Sequence, residues 1–170
     1  MSSKPIKVLG IDPGINLLGW GLVERDRGTI RALDYGCIVT EKNSYLPDRL
    51  IAIYEELRVI IKKNTPDEVA IEKLFFFKNQ KTVMEVAEAR GVAVLSAVKS
   101  GRPVFEYTPL QVKQALTGYG RAEKRQIQEM VKMVCCLDTI PKPDDAADAL
   151  AIAICHAQSS RQMINAQSRI

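Results

Sequence analysis

The chain has 170 residues, 46% of them hydrophobic and 26% charged, which is the make-up of one ordinary domain with a sizeable core rather than a disordered chain. Its net charge of +4 permits a nucleic-acid partner without demanding one. Its first residues lack the apolar core of a signal peptide, and no uncharged apolar run approaches the ~20 residues of a membrane span, so a soluble, cytoplasmic protein is expected.

Residues 6–12, Ile-Lys-Val-Leu-Gly-Ile-Asp, read as a buried strand that ends on an aspartate, with Pro13-Gly14 as the turn after it. Residues 17–24 and 29–40 read as two more strands joined by a hairpin at Asp26-Arg27-Gly28. The period then changes. Leu50, Ile53, Leu57, Ile60 and Ile61 recur at helical spacing over 47–63, and Pro66-Asp67 ends that helix. Glu68 to Glu72 is a short strand that again finishes on a carboxylate. A helix fills 79–100, and Gly91 inside it marks a kink or a close helix contact. Pro103 to Tyr107 is the fifth strand. Thr108 caps the next helix, with Pro109 at its first position. After Gly118 and Gly120 come helices over 122–136 and 144–158. The order predicts an α/β domain over residues 1–160, with a mixed five-stranded sheet flanked by helices, and a tail over 161–170. Cys37, Cys135, Cys136 and Cys155 lack the spacing of a zinc site and read as small apolar residues.

Four carboxylates carry the chemistry. Asp12 and Glu72 each close an apolar strand, where α/β sheets build their sites. Asp-Pro-Gly is also an ordinary turn sequence, and Glu72 has Lys73 beside it as a plain ion-pair partner. Asp145 and Asp148 are three apart, hence on one face of a helix that is otherwise Ala, Leu and Ile almost all round. Asp144 reads as the cap of that helix. Asp12, Glu72, Asp145 and Asp148 together make an all-oxygen set, suited to Mg²⁺, with Mn²⁺ as substitute, rather than to Zn²⁺. Two such ions can serve phosphodiester hydrolysis, and no nucleophilic side chain is then required. The single histidine, His156, reads as structural.

Gly10-Ile11-Asp12-Pro13-Gly14 with Gly19-Trp20-Gly21 resembles the first-strand motif of the RuvC family of crossover junction endodeoxyribonucleases. So do, in family order, Ala70-Ile71-Glu72 with Lys78-Asn79, Ala89-Arg90-Gly91, Val104 to Tyr107, Gln111 to Gln114, Gly118-Tyr119-Gly120 with Ala122-Glu123-Lys124, and Asp145 to Ala151. The resemblance implies a ribonuclease H-like nuclease domain and a Holliday junction resolvase that makes symmetrically paired, metal-dependent nicks in four-way DNA junctions during recombination and repair. It further implies a homodimer and a branch-migration helicase complex as partner. It puts the catalytic metal ligands on Asp12, Glu72 and Asp145 with Asp148 as the fourth carboxylate, the DNA-contacting lysines on Lys113 and Lys124, and the stacking aromatic on Phe75.

The residues themselves agree with a DNA partner. Phe75, Phe76 and Phe77 beside Lys73, Lys78 and Lys81 suit base stacking with phosphate neutralisation, and which of the three meets DNA is open. The loop from Gly118 to Lys124 suits a phosphate contact. Two rival readings are an ATPase of the actin and sugar-kinase type, which needs a longer chain and a second phosphate loop, and a non-catalytic DNA-binding relative, which would have lost carboxylates. A related nuclease that cuts another nucleic acid, such as an RNA hybrid, is a third.

Overall fold

The computed structural model describes residues 4–74 and 80–159, with backbone alone for 80–82. The expected tail over 161–170 lies outside the described residues. Within them, β1 (Ile6–Asp12), β2 (Leu17–Asp26), β3 (Thr29–Val39), β4 (Glu68–Glu72) and β5 (Val104–Tyr107) form one sheet in the order β3-β2-β1-β4-β5. β1, β2 and β3 are an antiparallel meander, while β4 runs parallel to β1 and β5 parallel to β4. This is the mixed five-stranded sheet that the sequence predicts.

Strand alternation divides the core in two. Leu9 and Ile11 of β1 join Leu18, Val69 and Ile71 on the face covered by α1 (Leu46–Asn64) and α2 (Gln80–Lys99). Val8 of β1 and Ala70 of β4 join the other face. That face is covered by α3 (Pro109–Thr117), α4 (Lys124–Val134) and α5 (Asp144–Gln158). Period two therefore puts Asp12 with Val8, and Glu72 with Ala70, on the α5 face.

Several boundaries differ from the sequence reading, each for a local reason. Asp26 stays in β2, because Arg27 and Gly28 alone make the hairpin turn with φ of 48° and 91°. α1 stops at Asn64, with Thr65 left-handed at its C-cap, because Pro66 disfavours helical geometry in the residue before it. α4 starts at Lys124 rather than 122: Ala122 is buried in the core, and Glu123 is the cap, its N–H donating to Gln126 Oε1 at 2.8 Å. Asp144 does not cap α5. The cap position is Pro143, and Asp144 is the first helical residue, paired with Lys142 at 2.7 Å. Thr108 does cap α3, accepting from the Gln111 N–H at 3.1 Å.

α5 is the central helix of its face. Gly10 of β1 and Gly19 of β2 let its backbone lie directly on the sheet. A Cβ on Gly10 would run into the Ala149 carbonyl oxygen, and one on Gly19 into that of Asp145. His156, near the end of α5, is buried and structural as read: it lies 2.7 Å from both Glu68 Oε2 and the Tyr107 hydroxyl. All four cysteines are free; Cys135 and Cys155 are buried, but Cys37 is half-buried and Cys136 exposed, so the apolar reading fits only two of them.

Candidate active site

Asp12 and Glu72 end neighbouring parallel strands. The register pairs Ile11 with Ile71, so the two carboxylates stand side by side, both on the α5 face. The glycine contacts bring the first turn of α5 over the same strand ends. Asp12 pairs with Gly19 across β1 and β2, and Asp145 rests its backbone on Gly19. One helical turn on, Asp148 lines a cleft together with Asp12, Glu72, Lys113 and Lys124. Asp145 lies beyond that lining, towards β2, where its charge helps raise both Asp12 and the Cys37 thiol.

Burial pushes the Asp12 carboxyl up to about 8, and the charges of Glu72, Asp148 and Asp145 add to the rise while Lys124 opposes it. Burial and the charge of Asp148 push Glu72 up to about 7. Burial also raises Asp148, against the pull of Lys124. Clustered acids repel, and protonation relieves them in the absence of a cation. One cation is already built in. Lys124 Nζ lies 3.1 Å from Asp148 Oδ2 and 3.6 Å from Asp144 Oδ2. Burial works against the charge of Lys124, but its hydrogen bond to Asp148 and the surrounding acids raise it overall. Among the described residues, no three acids, histidines or cysteines already close into a metal cage. The donor set nevertheless fits a hard divalent ion: carboxylate oxygens only, mutually repelling, on one side of the sheet.

The sequence-predicted residues divide as follows. Asp12, Glu72, Asp148, Lys113 and Lys124 come together in the cleft, with Asp145 adjoining it. Phe75, Phe76, Phe77 and Lys78 lie outside the described residues. Lys73 does not pair with Glu72. It meets Glu106 at 3.2 Å, and Arg90 meets the same carboxylate at 2.8 Å. Arg90 also donates from Nε to the Glu72 carbonyl oxygen at 3.2 Å. Sequence reasoning passed over both Arg90 and Glu106. The only signal was that each is a charged residue inside an otherwise apolar or small-residue motif, Glu106 between Phe105 and Tyr107 and Arg90 between Ala89 and Gly91.

A family model described as crossover junction endodeoxyribonuclease RuvC matches residues 8–156. The chain belongs to the RuvC family. The crossover junction endodeoxyribonuclease RuvC of Finegoldia magna is 53% identical over 156 residues, 92% of this chain and 95% of its own. The RuvC structure of Thermus thermophilus matches with a TM-score of 0.86 at 34% identity, covering 96% of this chain and 99% of that one. T. thermophilus RuvC in complex with Holliday junction substrate matches at 0.84 and 32% identity, covering 96% and 98%. The fold is therefore the ribonuclease H-like fold of RuvC. No described helix is long and apolar enough to cross a membrane.

Proposed function

We propose that this RuvC-family chain is a Holliday junction resolvase, an endonuclease that nicks four-way DNA junctions in symmetrical pairs during recombination and repair. One observation carries the chemistry: Asp12 and Glu72 end adjacent strands on the face where α5 delivers Asp148 and Asp145. We assign these four carboxylates as ligands of Mg²⁺, for which Mn²⁺ substitutes. When bound, the metal would activate water and stabilise the leaving oxygen in phosphodiester hydrolysis. The chain's own part is to hold four hard donors on rigid elements. Lys113, which pairs with no acid among the described residues, and Lys124, at the same cleft, take the phosphates. Phe75 and Lys78, next along the chain from β4, are assigned to stacking and phosphate contact.

Residues 1–160 act as one nuclease domain with 161–170 as its tail. We assign a homodimer, supported by α2. Met84, Gly91, Leu95 and Val98 follow one another along it at steps of seven, four and three residues, which keeps them on one face. Met84, Leu95 and Val98 are exposed, and nothing approaches Gly91 where a side chain would be. A second copy of the helix would cover this stripe. A cytoplasmic location and a branch-migration helicase partner are proposed from family membership. Labelled junction, flap, duplex and RNA–DNA hybrid compared in one assay test the reading. Paired symmetrical nicks in the junction alone are expected. Equal cutting of duplex or hybrid would overturn it.

A further inference from the structure

Ala89, Arg90 and Gly91 form a motif to which the catalytic reading gives no task, yet Arg90 touches the active centre. Its side chain projects from α2 towards the ends of β4 and β5 and is 19% exposed. Nε–H donates to the carbonyl oxygen of Glu72 at 3.2 Å, and Nη2 meets Glu106 Oε2 at 2.8 Å. The other oxygen of Glu106 meets Lys73 Nζ at 3.2 Å. Glu72 and Glu106 belong to different strands, so one planar guanidinium ties α2 to both.

Glu72 is the last residue of its strand. On its far side, the Lys73 N–H donates to the Tyr107 carbonyl oxygen at 2.8 Å. That bond holds the N–H half of the Glu72–Lys73 peptide, and beyond it the chain leaves the sheet. Arg90 holds the carbonyl half of the same peptide. A strand end free to rock would carry the Glu72 side chain away from Asp12, because the carboxylate moves with its own Cα. A guanidinium suits this task because its fork is rigid and presents two donors in one plane. A lysine offers a single point charge that cannot span both acceptors.

We propose that Arg90 is a positioning residue for Glu72, its fork between the Glu72 carbonyl and the Glu106 carboxylate fixing the strand end that aims the Glu72 side chain at the shared cation site. The inference rests on the reading of Glu72 as a cation ligand. Arg90 is not among the residues that line the cleft. It acts on the affinity of the site for the ion and on the speed of nicking, not on recognition of the junction.

The test uses the full-length protein with Arg90→Lys, Arg90→Met and Glu72→Gln, and Leu57→Val as a core change on α1 remote from the cleft. Three quantities are measured. They are Mn²⁺ binding, from the free-ion resonance signal; junction binding in chelator; and the single-turnover nicking rate on saturating junction against Mn²⁺ concentration. Both Arg90 variants are expected to weaken Mn²⁺ binding and slow nicking by about 10- to 100-fold, the usual size of such supporting contacts. Junction affinity should stay within about twofold, since no phosphate contact is lost. Arg90→Lys keeps the charge and should melt close to the parent, so a cation-binding defect in it reports lost geometry rather than lost fold. Wild-type Mn²⁺ affinity in Arg90→Lys would overturn the proposal. So would an equal loss in Leu57→Val, which would mark the effect as general loosening. If Glu72→Gln nicks like the parent, the ligand assignment itself fails and takes this inference with it. If Glu72→Gln is inactive while both Arg90 variants are normal, only the inference fails.

Discussion

Lys124 Nζ sits 3.1 Å from Asp148 Oδ2, so a lysine lining the cleft is also the counter-charge of the acid cluster. A divalent ion and Lys124 compete for the same carboxylate. Lys124→Met should therefore bind Mn²⁺ several-fold more tightly in the absence of DNA, because the tethered cation is gone. The same variant should bind junction DNA more weakly, with the salt slope reduced by about one. Calorimetric titration of Mn²⁺ and junction binding at several salt concentrations check both halves. Unchanged Mn²⁺ affinity would mean the pair does not persist in solution.

The Asp12 carboxyl, held at about 8, gives a pH dependence with a definite sign. Its ordinary value is 3.8, so the folded protein holds the proton more tightly than the unfolded chain. That stabilisation is complete below about pH 4 and is lost as pH rises towards 8. In chelator, the melting temperature should fall between pH 5 and pH 8 more steeply for the parent than for Asp12→Asn. Mg²⁺ should restore the parent at pH 8 by neutralising the cluster. Identical pH slopes for the two proteins would remove Asp12 from the cluster. Asp12→Asn should also abolish nicking while retaining junction binding.

Gly19→Ala tests how α5 is seated. The new Cβ would collide with the Asp145 carbonyl oxygen, which is backbone and cannot swing aside. The helix must lift, at a cost of about 1–3 kcal/mol for overpacking. Asp145 and Asp148 lift with it, and displacement by about 1 Å at a reacting centre costs about a hundredfold in rate. Nicking should fall far more than junction affinity. Parallel small losses in both would show that the helix accommodates the methyl group without moving its acids.

Leu95→Glu puts a charge in the middle of the exposed stripe of α2. Sedimentation should show a dimer for the parent and a monomer for the variant. Single nicks should persist while paired nicking of one junction is lost. A dimer of unchanged stability would place the subunit interface elsewhere.

Much of this architecture was legible in the chain. Alternation in Ile6–Asp12 and Glu68–Glu72 marks two strands ending on acids, and three-residue spacing puts Asp145 and Asp148 on one helix face. These patterns are short-range, and backbone geometry enforces them wherever the chain is folded. Helix ends were less legible, since Thr65 and Glu123 depend on capping geometry rather than on period. Gly10 and Gly19 entered the sequence reading only as parts of a family motif, and the close approach of α5 to them is visible only in the structure.

The amino-acid order pointed to the kind of chemistry, because an all-carboxylate set with lysines nearby suits cation-assisted cleavage of a phosphate backbone. The fold alone decided who holds whom. Lys124 of α4 meets Asp148 of α5, Lys73 turns from Glu72 to Glu106, and Arg90 reaches the Glu72 carbonyl from 18 positions away. Such contacts join side chains to partners on other elements. They follow from how α2 and α5 lie on the sheet, a placement set by glycine contacts and core packing that no local period encodes.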